Sequence, residues 1–174
     1  MSAAGPTQFI WSDLFKRRKS KQDPVIRVLA ENLLFESLTS SELQYLAQRV
    51  YVRSYEAGEA VFSEGERGFG MYSIAKGSIA IKTRATDSEL LMTTLSQGSF
   101  FGEMTLIQPD ALRSASAIAT EPSVLIGFFK PDLEEIVLRK PALGVKILLQ
   151  LSRILSARLL ATTERVTHDQ SKAA

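Results

Sequence analysis

Phe100-Phe101-Gly102-Glu103-Met104-Thr105-Leu106-Ile107, followed after five residues by Arg113-Ser114-Ala115-Ser116-Ala117, is the stretch of this chain whose residue types suit chemistry. A glycine between an aromatic strand end and a helix-forming run leaves backbone N–H groups unpaired, where they can point at an anion. Glu103 sits at the start of that turn. Arg113 returns to the same neighbourhood if a short helix from Gly102 to Ile107 turns back through Gln108-Pro109-Asp110. Ser114 adds a hydroxyl, and the amides of Ser114 and Ala115 add two donors. Together these groups offer a cationic fork for one phosphate, a helix start that favours negative charge and a carboxylate that can accept from a sugar hydroxyl. The plain alternative is a surface ion pair between Glu103 and Arg113, worth under about 1 kcal/mol.

Other chemistries are poorly provided for. The 174 residues contain no cysteine and one histidine, so a disulfide framework, a thiolate metal site and a cysteine nucleophile are excluded. His168 lies in the polar tail Thr167-His168-Asp169-Gln170, without partners for a triad or a multi-histidine metal centre. It reads as structural or idle. With no base, nucleophile or metal set, a binding protein is expected and not an enzyme, with no cofactor. The first ten residues lack a signal peptide's basic and apolar regions, which together with the missing cysteines fits a cytoplasmic protein. The apolar run Val124–Phe129 is far short of the roughly 20 residues that a spanning helix needs.

The elements that must position these residues fall into three zones. Residues 1–23 form a tail. Residues about 24–57 read as helical: Pro24 suits a first turn, and Val25, Val28, Leu29, Asn32 and Leu33 recur at helical spacing. Thr39-Ser40-Ser41-Glu42 has the form of a capping box, and Leu43, Leu46, Ala47 and Val50 keep to one face behind it. From about Val50 to Phe129 the texture changes to short runs cut by turns, and seven of the ten glycines lie between positions 58 and 102. The runs Met71–Ala75, Ser78–Thr83, Leu90–Leu95, Ser114–Ile118 and Val124–Phe129, with no long helix between them, predict an antiparallel sandwich or small barrel. Lys76-Gly77 and Thr86-Asp87-Ser88 suit hairpin turns. Pro131 opens a short helix through Leu138, and Pro141 opens a long one. Along the latter, Leu148, Leu151, Leu155, Leu159, Thr162 and Val166 form a stripe with Ile147 and Ile154 beside it. The stripe is wide enough to pack on the β-body on one side and meet a partner helix on the other, so a homodimer through this helix is expected, with simple coverage of its own domain as the alternative.

Phe101-Gly102-Glu103-Met104-Thr105-Leu106-Ile107 and Arg113-Ser114-Ala115 resemble the phosphate-binding cassette of the cyclic nucleotide-binding domain family. Three further stretches, Leu34–Leu43, Gly58–Gly65 and Met71–Ile79, resemble the family's opening helices and first strands in the expected order, and the likeness extends over about residues 29–166. The resemblance implies an α+β fold: an antiparallel β-roll or jelly roll of about eight short strands, with amino-terminal helices and a long carboxy-terminal helix. The domain would run from 24 to 166, with the roll at about 50–129, the carboxy-terminal helices at about 131–166 and a tail at 167–174. It also implies roles. Arg113 would pair with the cyclic phosphate, Glu103 would accept from the ribose 2′-hydroxyl, and Gly102, Ser114 and Ala115 would supply close donors. Phe101, Met104 and Thr105 complete the motif, Thr105 standing where the family commonly has a smaller residue. Ala161-Thr162-Thr163-Glu164-Arg165-Val166 resembles the helix with which catabolite-activator-type members contact the adenine, which makes Thr162 and Thr163 candidates for the base. The implied ligand is cAMP, with cGMP as its competitor because Ser114 can serve guanine.

Partners follow in part from charge. Residues 1–23 carry Lys16, Arg17, Arg18, Lys19 and Lys21 against Asp13 and Asp23, a balance of +3, and the rest sums to −1. The body therefore has no field for a polyanion. Bacterial regulators of this family carry a helix-turn-helix after the long helix, on the order of 60 residues or more, whereas His168 to Ala174 follow here, so direct DNA binding is not expected. An effector protein is expected to receive the signal. A nucleotide-independent interaction scaffold of the same fold is the alternative, for which the glycine-free turn Gln108–Leu112 is the argument. In the tail, Ile10, Trp11, Leu14 and Phe15 would share one helical face ahead of the basic block. That pair of features suits a peripheral membrane or partner-groove contact, the alternative being an unordered or folded-back arm.

Overall fold

The computed structural model of the chain describes residues 23–85, 88–108 and 110–173, and side chains within these except those of residues 85, 88, 89 and 165–173. The aromatic and basic features of the amino-terminal tail, the centre of the 86–88 turn and the side chains of Val166 and His168 lie outside the described residues. Helix α1, Pro24–Glu31, begins as expected: Asp23 accepts from the Val25 amide at 3.0 Å and proline occupies the first turn. It ends earlier than the hydrophobic spacing suggests. Asn32 turns extended, its carboxamide oxygen accepts from the Leu34 amide and its amide group donates to Ser73 Oγ at 2.6 Å, so the chain breaks into a 3-10 turn over Leu33–Phe35. Leu33, expected on the apolar stripe, is thereby left exposed. Helix α2, Ser40–Ala47, carries the complete capping box between Thr39 and Glu42.

Strand β1, Tyr51–Tyr55, corrects the helical reading of residues up to 57; its alternating burial marks a strand that the capping-box helix does not reach. There follow β2 (Ala60–Phe62), β3 (Gly70–Lys76), β4 (Ser78–Ala85), β5 (Ser88–Ser96), β6 (Phe100–Phe101), β7 (Ser116–Ala119) and β8 (Ser123–Phe129). They form two four-stranded sheets in the orders β1-β8-β3-β6 and β2-β7-β4-β5, with every neighbouring pair antiparallel. This is the α+β roll of eight strands that the resemblance implies. Helix α3, Lys130–Arg139, and the 33-residue α4, Pro141–Ala173, complete it. No helix among the described residues is long and apolar enough to cross a membrane.

The first sheet is the central layer, and two cores lie on its two faces. Met71, Phe100, Ile126 and Phe128 join Leu29, Leu34, Phe35, Leu46, Ile136, Ile147 and Leu151 beneath the helices. Ile74, Phe101 and Leu125 join Tyr55, Ile79, Ala117 and Ala119 between the sheets. Because successive strand side chains point to opposite faces, Phe100 and Phe101 enter different cores, and the chain emerges from β6 locked on both sides. A strand covered on both faces reads as one apolar run, which is why Val124–Phe129 shows no alternation.

Candidate functional site

Directly after Phe101 the backbone must turn sharply out of the sheet. Gly102 does so at φ +78°, a left-handed conformation that a side chain resists, and a Cβ there would sit 2.5 Å from Arg113 Nη1. The 3-10 turn Glu103–Leu106 follows and buries Leu106 in the helical core. A second backbone path brings Arg113 in from the other side: Gly68 N–H donates to the Ala111 carbonyl, Arg113 N–H to the Glu66 carbonyl and Gly65 N–H to the Arg113 carbonyl, at 2.8 to 2.9 Å. These bonds bring Arg113 to the turn at Gly102. Arg113 Nη1 then donates to the Gly102 carbonyl at 3.3 Å and to Thr105 Oγ1 at 3.2 Å.

The two charged groups expected here are both buried but differently matched. Arg113 is only 6% exposed, and its Nε is buried with no hydrogen-bond partner among the described residues. One face of its guanidinium lies on the Phe62 ring, 3.9 Å from the centroid, and Tyr72 stands 5.9 Å away. Phe62, Tyr72 and Phe101 are mutually in contact, with ring centroids 5.6 to 6.1 Å apart, so the guanidinium rests against an aromatic wall. Burial pushes the pKa of Arg113 down from its ordinary value, opposed by Tyr72, Glu66 and Glu103; a guanidinium starts so high that it keeps its charge. Glu103 is 4% exposed and is not the partner of Arg113 in an ion pair: its carboxylate accepts from Arg158 Nη1 on α4. Arg158 also donates to the Phe100 carbonyl at 3.5 Å and lies 4.9 Å from the Phe100 ring.

The other expected residues are spread around this centre. Phe101 and Thr105 are buried, Met104 and Ser114 are exposed and Ala115 is half-buried. Thr162 and Thr163 are exposed on α4, their hydroxyls donating to the carbonyls of Arg158 and Leu159 at 2.8 and 3.0 Å. Arg158, Phe62 and Tyr72 are the site residues that the sequence reading missed. Arg158 had a legible signal, since Ile147, Leu151 and Ile154 are buried at helical spacing and the next position of that stripe is a cation. Phe62 and Tyr72 had none, because an aromatic in a short strand looks like ordinary core.

The described residues contain no group of three or more acidic or histidine side chains able to hold a metal ion. What the arrangement offers is a buried cation with an unpaired donor among the described residues, near a carboxylate tied to a helix, and the cation suits binding of a small anion.

Known proteins carry the same arrangement of elements. The model of the cyclic nucleotide-binding domain family matches residues 52–140, half of the chain. The chain is 30% identical over 121 residues to the cyclic AMP receptor protein of Thermus thermophilus, covering 69% of this chain and 56% of that protein. It is 30% identical over 118 residues to human cGMP-dependent protein kinase 2, covering 66% of this chain and 15% of the kinase. A cyclic nucleotide-binding domain from Methylobacillus flagellatus superimposes with a TM-score of 0.73 at 22% identity, covering 84% of this chain and 82% of that one, a likeness of fold. The chain thus spans little more than half of the receptor protein and a small part of the kinase.

Proposed function

Because the chain belongs to the cyclic nucleotide-binding domain family, as the match over residues 52–140 shows, we propose that it is a cyclic nucleotide sensor whose ligand is cAMP and whose output is a changed contact with an effector protein. One observation carries the reading: the cation of the cassette is buried, keeps its charge and has a buried Nε without an acceptor. A buried donor left unsatisfied costs about 1 to 3 kcal/mol, and a phosphate oxygen on the Nε side would recover that cost while meeting the full positive charge. Glu103 would accept from the ribose 2′-hydroxyl, with Gly102, Ser114 and Ala115 supplying donors around the phosphate and Thr162 and Thr163 approaching the base.

Arg158 joins the ligand site to the output. Its carboxylate partner is the proposed sugar contact, so a ligand that engages Glu103 acts on the α4 attachment directly. A ligand shifts a conformational equilibrium only by binding one helix position better than the other, and this shared carboxylate supplies the difference. The measurement is calorimetric titration of the chain with cAMP and cGMP, beside Arg113→Ala. Binding of cAMP that is lost in the variant supports the assignment; binding unchanged in the variant overturns it. Tighter binding of cGMP supports the second reading, for which the Ser114 hydroxyl and the likeness to a cGMP-dependent kinase speak. Binding of neither favours the nucleotide-independent scaffold.

The partner surface proposed for a homodimer is α4. Val145, Leu149, Leu159 and Leu160 are 53 to 67% exposed along it, while Leu143, Ile147 and Leu151 fill the helical core. The broad stripe expected from the sequence thus divides, and Leu159 belongs to its outer side. These side chains do not make a continuous heptad seam, because Ser152 and Ser156 stand between Leu149 and Leu159 on the same face, so the proposed contact is two apolar patches, at Val145 and Leu149 and at Leu159 and Leu160. Leu149→Glu with Leu160→Glu is expected to convert a dimer to a monomer in sedimentation equilibrium, and a native chain already monomeric at micromolar concentration overturns the proposal.

A further inference from the structure

We propose that Thr105 is the positioning residue for Arg113: its hydroxyl fixes the plane of the guanidinium so that the Nε side is turned toward the incoming anion. The inference rests on the reading of Arg113 as the phosphate partner and concerns what holds that cation in place. A single acceptor on a guanidinium nitrogen fixes a distance and leaves the plane free to swing; a second acceptor carried by a different residue removes that freedom. Arg113 Nη1 has two acceptors, the Gly102 carbonyl at 3.3 Å and Thr105 Oγ1 at 3.2 Å. Phe62 takes one face of the plane. With Nη1 engaged, the edge carrying Nε remains as the side-on fork that suits two oxygens of a phosphate.

Thr105 can hold Arg113 because it is itself held. It is 3% exposed, and its Oγ1 lies 3.0 Å from the Gly70 carbonyl at the start of β3 and 3.0 Å from the Gly102 carbonyl. Its single proton goes to one of these carbonyls, which leaves a lone pair for the arginine. Its methyl group is held too. A Cβ at Gly68 would lie 2.5 Å from Thr105 Cγ2 and 2.9 Å from Arg113 Nε, so the loop approaches both side chains as closely as a glycine permits. A smaller residue without a hydroxyl at position 105 would leave Arg113 with the Gly102 carbonyl as its hydrogen-bond acceptor. The hydroxyl therefore adds a positioning contact particular to the residue this chain carries, and the ordering cost of the guanidinium is met before the ligand arrives.

Thr105→Val keeps the shape and removes the hydroxyl, whereas Thr105→Ser keeps the hydroxyl and removes the methyl. Titration of the full chain with cAMP is expected to give about tenfold weaker binding for the valine variant, in the range of a hydrogen bond to a charged group, and near-native binding for the serine variant. The second readout needs no ligand: rotation about the Cζ–Nη bonds of Arg113, followed by nitrogen-15 NMR of the guanidinium, is expected to quicken in Thr105→Val and to stay slow in Thr105→Ser. A residue with a purely structural role would lower the melting temperature without moving either readout, and that result overturns the proposal. Should Thr105→Val fail to fold, Thr105→Ala carries the same two measurements. A native chain that binds neither cAMP nor cGMP defeats the proposed function, and the ligand-free rotation measurement then still decides whether Thr105 holds Arg113.

Discussion

Arg113 and Glu103 lie ten positions apart, on the two arms of one cassette, and they treat their charge in opposite ways. The carboxylate arm is complete: Glu103 is buried and has a cation from α4 as its partner. The guanidinium arm is incomplete, because Arg113 meets a carbonyl, a hydroxyl and an aromatic face but, among the described residues, no carboxylate in hydrogen-bond contact. Breaking a buried pair leaves a costly bare charge. Arg113 is not bare, since a carbonyl, a hydroxyl and a ring face meet it and Glu66 and Glu103 favour its charge from a distance, but its buried Nε leaves room for an acceptor that the proposed ligand would bring. On the proposed reading, the difference separates two kinds of work in a site of a few residues, ligand capture at one end and attachment of a helix at the other.

Replacing Arg113 tests the contrast most severely. Arg113→Ala is expected to weaken cAMP binding by at least about 100-fold, since truncating one partner of a buried charged hydrogen bond costs roughly 2 to 5 kcal/mol. The same change should lower the stability of the ligand-free chain by less than about 1 kcal/mol in urea unfolding, because the lost contacts are offset by removing a buried charge that has an unsatisfied Nε. Loss of several kcal/mol of ligand-free stability would place Arg113 with the structural ion pairs and erase the contrast.

The carboxylate arm should behave the other way round. Arg158→Ala and Glu103→Gln are each expected to cost about 1 to 3 kcal/mol of ligand-free stability, and the double variant distinctly less than their sum, as for two residues in contact. Additive losses would show that the pair does not act as a unit. If α4 is fastened to the cassette chiefly here, limited proteolysis should cut α4 beyond position 158 faster in either single variant than in the native chain.

The sequence made the chemistry of the guanidinium arm legible and hid that of the other. Residue types alone leave Glu103 and Arg113 open between an anion site and a surface ion pair, and the resemblance to the family's cassette is what singles out Gly102, Glu103 and Arg113. The strands from β3 onward are legible through their turns. Strand β1 falls where the helical zone, read to about 57, overlaps the roll, read from about 50, because Tyr51–Tyr55 follows a well-capped helix without a glycine or proline to mark the change. The end of α1 was missed for a different reason, since Asn32 breaks the helix by bonding to Ser73, a residue 41 positions away. Partners distant in the chain are also what decide Glu103. Its nearest arginine along the chain is Arg113, but its partner in the fold is Arg158 on another element.

The smallest effect concerns the other end of α4, and it sharpens the contrast within that helix. There Lys146 Nζ donates to both carboxylate oxygens of Glu42 at 2.9 Å, and Gln150 reaches the Leu33 carbonyl and Glu36. The hydrogen bond from Lys146, followed by those from Thr39, holds the Glu42 carboxyl below its ordinary pKa. A carboxylate lowered in the folded state adds stability that is fully present above the unfolded value of about 4.3 and is lost as pH falls through the folded value. The side chains of Lys146 and Glu42 remain 38% and 22% exposed, so the pair is worth under about 1 kcal/mol. Lys146→Met should therefore lower the melting temperature by about 1 to 3 °C at pH 7, with the gap closing in acid and shrinking in high salt. A gap that persists at a pH where Glu42 is protonated would assign the loss to packing of the lysine stem. That result would make the base of α4 an apolar anchor and leave the pair at Arg158 as the electrostatic attachment of the helix.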